Sequence, residues 1–592
     1  MISGGSIRNL GEFFPTVAVL VLFGILGVRL FDLQVVRSET YRRLSEENRI
    51  RVVPVDAPRG HILDRHGEVL VCNRPSYVVS IVPFKLRQMD QTIRALGEIV
   101  DVDPDAIIER VSKSRYRRYE PVKIKRDIDF KTLAIIQEHK LDLPGVIYQV
   151  EPRREYLQGP LAAHLLGAVG EISSQELAAR VGYGYRQGSL VGKWGLEKQY
   201  EPFLRGVDGV QYVEVTALGR EIGPLPDRHP VEAKSGSDLI LTIDLALQRT
   251  AEEVLSDTIA GAVVALDPSS GEVLAMASRP AFDPNLFATV VPESLWRCLN
   301  EDPGRPLLNR AVQGTYPPGS ILKVITAAAG LEEGIISQHT RFAPCTGAFK
   351  YGERWFGCWQ PHGHGSLDMV GAMAQSCDVY FYQLGLKLGL ERWSKFAAAC
   401  GLGYPLGLDL PNEAEGLIPS EEFYNRRYGR GKWSTGVLLN LSIGQGEILV
   451  TPLQMACLMA TLANGGTIYR PHLVKEIRSA AGKEAPQNPE VLGRLPLSAS
   501  NLKSILKSLR AVVRHPHGTG SLAAVDGAAV AGKTGTAQNP HGEDHAWFGG
   551  FAPADSPRIA IVVLVEQGGH GGSTAAPLAG KIMASYLKRG DI

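Results

Sequence analysis

The sequence predicts an α+β protein in three parts: an N-terminal membrane helix, a middle module, and a C-terminal domain in which helices flank one antiparallel sheet. Three observations predict it. An uncharged apolar run, Phe13 to Val28, opens the chain. The length of 592 residues exceeds what one hydrophobic core serves. Strand-like runs stand at both ends of the segment 238–592 with helix-like runs between them, as in one sheet built from the first and last strands of a domain.

Composition excludes several classes. The formal net charge of +1 gives no global attraction to nucleic acid, and the short basic run Lys113 to Arg118 reads as a solvated surface. Seven cysteines in so long a chain are not a disulfide framework. Cys72, Cys298, Cys400 and Cys457 stand alone in mostly apolar contexts and read as small core residues.

The opening run has no small-x-small cleavage site after it, so an uncleaved anchor is expected over a signal peptide. Arg29 can snorkel, which lets Leu30 and Phe31 extend the apolar length toward the about 20 residues of a spanning helix. The expected division is a short cytoplasmic tail, 1–12, a transmembrane anchor, 13–31, a second module, 32–237, and the C-terminal domain, 238–592. Flanking charge points the other way: Arg8 precedes the span, whereas Arg29, Arg37, Arg42 and Arg43 follow it. Long domains translocate regardless of such charges, and the chemistry below places the bulk of the chain outside the cell.

Tyr41 to Asn48 reads as a polar helix. Two short apolar runs flank Asp64-Arg65-His66-Gly67, a strand–turn–strand pattern. Residues 90 to 145 alternate helical and extended patterns. Gly188 to Gly209, dense in glycine and aromatic residues, reads as a packed, irregular linker, and 217–238 as a boundary. Leu239 to Thr242 reads as a strand, Leu245 to Leu255 as an amphipathic helix, and Gly261 to Ala277 as a hairpin turning at Pro268–Gly271. Trp547–Phe551 and Ile559–Val565 are strands, and Ala575–Leu587 is a last helix.

Pro317-Pro318-Gly319-Ser320-Ile321-Leu322-Lys323 opens a helical stretch. Residues three apart share a helix face, so Lys323 is expected to reach the Ser320 hydroxyl. A serine is a weak nucleophile until a base takes its proton, and a buried lysine can serve as that base. Alone the pattern carries little: Ser500-x-x-Lys503 and Ser504-x-x-Lys507 repeat it on a helix whose apolar residues are Leu502, Ile505, Leu506 and Leu509. What distinguishes Ser320 is company. Ser376-Cys377-Asp378 and then Lys533-Thr534-Gly535-Thr536 follow in order. They supply a second hydroxyl to pass protons, a cation to hold a carboxylate and backbone N–H groups for an oxyanion.

These three motifs, in this order, resemble those of the penicillin-binding proteins and serine β-lactamases. The resemblance runs along nearly the whole chain. Arg59-Gly60-x-Ile62-x-Asp64-Arg65-x-Gly67 and Gly192-Lys193-x-Gly195-Leu196-Glu197 resemble the non-catalytic N-terminal module of class B penicillin-binding proteins, and Gly261 to Ala277 resembles the opening hairpin of their transpeptidase domain. Asp378, in place of asparagine, is similar to the elongation-specific branch. The resemblance implies an elongated pedestal domain over 32–237 and a β-lactamase-like transpeptidase domain over 238–592. It implies a D,D-transpeptidase that cross-links peptidoglycan during elongation and rod-shape maintenance, without a catalytic cofactor.

By the same resemblance Ser320 attacks the penultimate D-Ala carbonyl and Lys323 is the base. Ser376 relays the proton, with Asp378 and Lys533 in the catalytic set. Lys533, Thr534, Gly535 and Thr536 bind the terminal carboxylate, and the N–H groups of Ser320 and Thr536 form the oxyanion hole. A stem-peptide amine then attacks the ester; β-lactams acylate the same serine. Implied partners are peptidoglycan stem peptides on lipid-linked nascent glycan, a RodA-like membrane glycosyltransferase and an MreC-like elongation regulator. The implied location is the inner membrane, single-pass, with the bulk of the chain in the periplasm. A β-lactamase or β-lactam sensor shares the motifs but usually lacks such an N-terminal module. A non-enzymatic scaffold would have no use for Ser320, Lys323 and Lys533 together.

Cys345, Cys358, His364 and Cys377 follow the spacing Cys-x12-Cys-x5-His-x12-Cys. Three thiols and an imidazole suit a closed tetrahedral structural zinc site, with His362 as another nitrogen donor. A disulfide with one thiol left over and three unpaired thiols are the other readings.

Overall fold

The computed structural model describes residues 10–39, 41, 50–86, 89–113, 121–216, 221–226, 228–255, 260–288, 291–479, 482–484 and 488–589. The first helix, Leu10–Phe31, continues as a π-helical turn, Asp32–Val36. The apolar stretch Phe14–Val36 has 23 residues, none of its side chains packed inside the protein. At 1.5 Å per residue it spans about 35 Å, enough for a hydrocarbon core of about 30 Å. It outruns the expected end at Phe31 because Asp32 pairs with Arg29 (2.9 Å) and Arg37 (3.3 Å), so its charges are mutually compensated. Residues 1–9 of the expected tail, most of the Tyr41–Asn48 helix and most of the Lys113–Arg118 run lie outside the described residues; residues 10–12 begin the membrane helix.

The predicted turn after Ile62–Leu63 is present. That strand pairs with Val69–Ile81 (Ile62↔Val71), and the Asp64 carboxylate accepts from the His66 and Glu68 amides at 2.8 and 2.9 Å. Val69–Ile81 also pairs with Val122–Ile128 and, from Val71 to Ile81, with Val146–Tyr156. Helices Met89–Val100, Pro104–Lys113 and Phe130–Glu138 bury Ile93, Leu96, Ile107 and Leu133 in a core with Val79 and Ile124.

Two expectations change. Asp238–Leu241, expected to open the C-terminal domain, lies inside the pedestal sheet: it pairs in parallel with Ile62–Leu63 and antiparallel with Val474–Ser479. A sheet therefore crosses the 237/238 division, because a strand's period of two fixes its faces and not its neighbours. Gly188–Gly209 is no linker. It holds a strand, Leu190–Gly192, and helices Gly195–Gln199 and Glu201–Leu204, with Leu196 and Leu204 fully buried. Glu197, also fully buried, bonds Arg154 Nε at 2.7 Å and Arg59 Nε at 2.5 Å. The packing expected from its glycine density is present; what differs is that the segment is regular structure inside the core and not a linker.

The C-terminal sheet has five antiparallel strands in the order Val273–Arg279, Gly261–Leu266, Ile559–Val565, His545–Ala552, Ala531–Ala537. The predicted hairpin pairs Gly261 with Arg279. Both faces are covered. Val263, Ile561 and Val563 meet Leu247 and Ala251 of Leu245–Val254 and Ile582 and Met583 of Ala575–Arg589. Val264, Val562 and Leu564 meet Met455 and Leu458 of Pro452–Ala463. Each such buried aliphatic contributes about 1.5–3 kcal/mol. In Ala499–Arg514, Leu502, Ile505 and Leu509 are buried while Lys503 and Lys507 are exposed, so neither repeated Ser-x-x-Lys is a site. Of the four isolated cysteines, Cys400 and Cys457 are buried and Cys72 is half-buried; Cys298 is exposed, on the solvent side of the amphipathic helix Glu293–Glu301.

Candidate active site

Ser320 lies on a 3-10 turn, Gly319–Leu322, and the α-helix expected to open at Ser320 opens at Lys323 instead. Two backbones wedge the turn in place. Gly319 (φ +56) presses on the last strand of the sheet, where a Cβ would come 2.6 Å from Thr536 O. Its N–H donates to Gly444 O at 2.9 Å. Gly535 is required from the other side: a Cβ there would meet Pro318 O at 2.8 Å. The serine is half-buried beside an edge strand.

Lys323 is fully buried. Its Nζ donates to Asp378 Oδ1 at 2.7 Å, Ser376 O at 2.8 Å and Ser376 Oγ at 3.2 Å. The expected reach to Ser320 Oγ is not among its hydrogen bonds. A buried lysine nitrogen needs its hydrogen bonds satisfied, and the Ser376 loop satisfies them. Asp378 also accepts from the Trp359 amide at 3.0 Å.

Ser376 stands between helices Met369–Ala374 and Asp378–Leu388 in the left-handed region, at φ +53. A non-glycine residue there costs on the order of 1–3 kcal/mol, the kind of strain that clusters at functional sites. The turn aims its hydroxyl between two lysines, for Lys533 Nζ donates to Ser376 Oγ at 2.9 Å and to Thr534 O at 2.9 Å. Both lone pairs of Ser376 Oγ then accept, which leaves its hydrogen for an acceptor in the groove. Burial, reinforced by the Lys323 charge and opposed by Asp378, holds the Lys533 amine well below the usual lysine range.

Lys533, Thr534, Gly535 and Thr536 lie on Ala531–Ala537, the edge strand. Thr534 Oγ1 is 2.7 Å from Thr519 Oγ1, and Thr536 Oγ1 accepts from the Gly571 amide at 3.3 Å. The structure thus brings Ser320, Lys323, Ser376, Asp378 and Lys533 to one edge of the sheet. It adds Gly444, Gln445, Thr519 and Trp359. The glycines flanking Gln445 were a signal of close backbone approach; nothing in the sequence marks Thr519 or Trp359.

The sulfur and nitrogen donors of Cys345, Cys358, His364 and Cys377 lie within 4.8 Å of one another. His364 Nδ1 is 3.7 Å from Cys345 Sγ and 3.5 Å from Cys358 Sγ. A tetrahedral zinc with Zn–S about 2.3 Å and Zn–N about 2.0 Å has S···N edges of about 3.5 Å, so the donor set fits that ion. Contact with Cys377 holds the Cys358 thiol below the usual thiol range, and contact with Cys358 pushes Cys377 up. All seven cysteines are free thiols, and His362 is exposed, outside the cluster.

A Ser-x-x-Lys turn facing a Lys-Thr-Gly edge strand, with the Ser-x-Asp loop between them, defines a serine acyltransferase of the penicillin-binding class. Residues 261–584 match the penicillin binding protein transpeptidase domain, and 54–241 the penicillin-binding protein dimerisation domain. The chain is 35% identical to peptidoglycan D,D-transpeptidase MrdA of Haemophilus influenzae, over 96% of this chain and 90% of the relative. Among solved structures, a complex between penicillin-binding protein PBP2 and MreC from Helicobacter pylori superposes with a TM-score of 0.79 at 28% identity, covering 92% of this chain and 100% of that one. A peptidoglycan synthase complex, a study of the coordination of polymerization and crosslinking, gives 0.72 at 32%, covering 99% of both chains. The chain belongs to the penicillin-binding protein family, as a peptidoglycan D,D-transpeptidase with a dimerisation domain ahead of its catalytic domain. Transpeptidases of this family act without a cofactor.

Proposed function

We propose that this D,D-transpeptidase acts through Ser320 in the elongation of a rod-shaped cell wall. The observation that carries the reading is Ser376 Oγ, held between the buried Nζ atoms of Lys323 and Lys533 behind the Ser320 turn. Ser320 Oγ bonds to the penultimate D-Ala carbonyl carbon while Lys323, as the free amine, takes its proton. The N–H groups of Ser320 and Thr536 hold the oxyanion. The C–N bond breaks, and the leaving D-Ala receives its proton through Ser376. Lys533, Thr534, Gly535 and Thr536 hold the terminal carboxylate, and Asp378 holds Lys323 in place. A stem-peptide amine from a neighbouring strand then displaces Ser320, which completes the cross-link. β-Lactams acylate the same oxygen.

The helix Phe14–Val36 serves as a single inner-membrane anchor, with the pedestal following it and the bulk of the chain in the periplasm, where stem peptides on lipid-linked glycan are found. A RodA-like glycosyltransferase and an MreC-like regulator are its partners on this reading. The H. pylori relative is solved with MreC, and a 32%-identical neighbour belongs to a synthase complex. Cys345, Cys358, His364 and Cys377 hold a structural zinc that staples the loop carrying Ser376 and supplies no catalytic step.

Intact mass after benzylpenicillin tests the nucleophile. The parent gains one penicilloyl adduct and Ser320→Ala gains none. An adduct that persists on Ser320→Ala would move the reaction to another residue, and rapid penicillin destruction without an adduct would make the protein a β-lactamase.

A further inference from the structure

The edge strand Ala531–Ala537 faces the Ser320 turn on the side that no other strand pairs with. In a β-strand a residue's own N–H and C=O point to the same side. Thr536 O accepts from Gln445 Nε2 at 3.0 Å, away from the sheet, so the Thr536 N–H also points outward, toward the groove. The next outward amide, that of Gln538, donates to Gln445 Oε1 at 3.3 Å. One side-chain amide therefore takes up the two backbone groups that an added strand would pair with beyond Thr536.

The support of Gln445 is rigid. Its own N–H donates to Asn440 O at 2.9 Å, at the end of the helix Val437–Leu441, and the Gly444 amide donates to Leu441 O at 3.0 Å. The same segment receives the Gly319 amide on Gly444 O. Two consecutive residues thus grip both halves of the oxyanion hole: Gly444 holds the turn that carries the Ser320 N–H, and Gln445 holds the strand residue that carries the Thr536 N–H.

We propose that Gln445 is a positioning residue for acyl transfer: it caps the open edge at Thr536, fixes the spacing of the two oxyanion donors and makes the Thr536 N–H the last one free for substrate. The inference rests on the acyl-enzyme reading above. Oxyanion donors act on the transition state and not on the first encounter, and loss of a donor costs about 10²–10³ in rate; loosening one costs less. Gln445→Ala is therefore expected to acylate with benzylpenicillin about tenfold more slowly at saturation, with the dissociation constant of the pre-covalent complex unchanged. A peptidyl boronic acid, whose boronate oxygen sits between the two amides, is expected to bind about tenfold more weakly.

The measurement uses the full chain in detergent, with stopped-flow acylation and boronate titration beside thermal melting. Should Gln445→Ala melt far below the parent, Gln445→Met, which keeps the side-chain length and loses both hydrogen bonds, carries the same test. Acylation at the parent's rate by a folded variant overturns the proposal, as does a loss confined to the pre-covalent dissociation constant. A parent that never acylates overturns the reading it rests on, which the variants alone cannot do.

Discussion

Lys533 and Lys323 are both fully buried and share one hydroxyl, and at the residue scale that crowding sets the pH response of the site. Burial and the Lys323 charge depress the Lys533 pKa. For a base, a depressed pKa means that the proton is lost at lower pH. On the proposed reading the Lys533 ammonium holds the substrate carboxylate; it is present below that value and gone above it. The alkaline limb of the second-order rate of acylation by benzylpenicillin is therefore expected to fall with a midpoint below the about 10.4 of an ordinary lysine. A pH–rate profile checks this; a midpoint at or above the ordinary value would show that Lys533 stays charged. Ser320 and its lysine were legible from spacing and order along the chain. Their contacts were not, because Lys323 bonds groups more than 50 positions away, on the Ser376 loop.

At the scale of elements, the loop Cys345–Cys377 hangs the Ser376 motif on a four-donor cluster, with Cys377 inside the motif itself. A zinc there closes a long loop and stabilises the fold by the free energy of binding. Chelation is expected to lower the melting temperature by several degrees and to slow acylation, with both restored by stoichiometric zinc; metal analysis should find one zinc per chain. Cys358→Ser should reproduce the chelated state. Metal content far below one per chain, with no effect of a chelator, would leave the cluster as free thiols. The spacing of the four residues was readable in advance, whereas the exclusion of His362 was not: the two histidines are two residues apart, and the structure turns His364 toward the thiols beside Trp359 while His362 is exposed.

At the scale of the molecule, one network locks the pedestal and another ties it to the catalytic domain. Arg59, Arg154, Glu197 and Glu201 form a buried charged knot within the pedestal. Tyr200 OH donates at 2.8 Å to Asp409, whose carboxylate also accepts from the Leu473 and Val474 amides at the shared sheet. Removing one partner of a buried ion pair strands the other. Glu197→Gln is thus expected to destabilise the chain by about 3–5 kcal/mol, read by chemical denaturation, while Ser320 still acylates in the fraction that remains folded. Unchanged stability would show that water or a rearranged arginine replaces the missing charge.

The sequence by itself determined the apolar helix, the strand–helix order of the C-terminal domain, the three motifs holding Ser320, Lys323, Ser376 and Lys533, which the structure brings to one sheet edge, and the cysteine–histidine cluster. All of these are written in local pattern: apolar length, period and short motifs. Tertiary structure alone decided that Asp238–Leu241 sits in the pedestal sheet, that Gly188–Gly209 is core, that Lys323 serves the Ser376 loop, and that Gln445 closes the edge beside Thr536. Each of those is a partnership across a long stretch of chain. Backbone hydrogen bonds and buried charges must be satisfied somewhere, but the local pattern that creates the need does not name the residue that meets it.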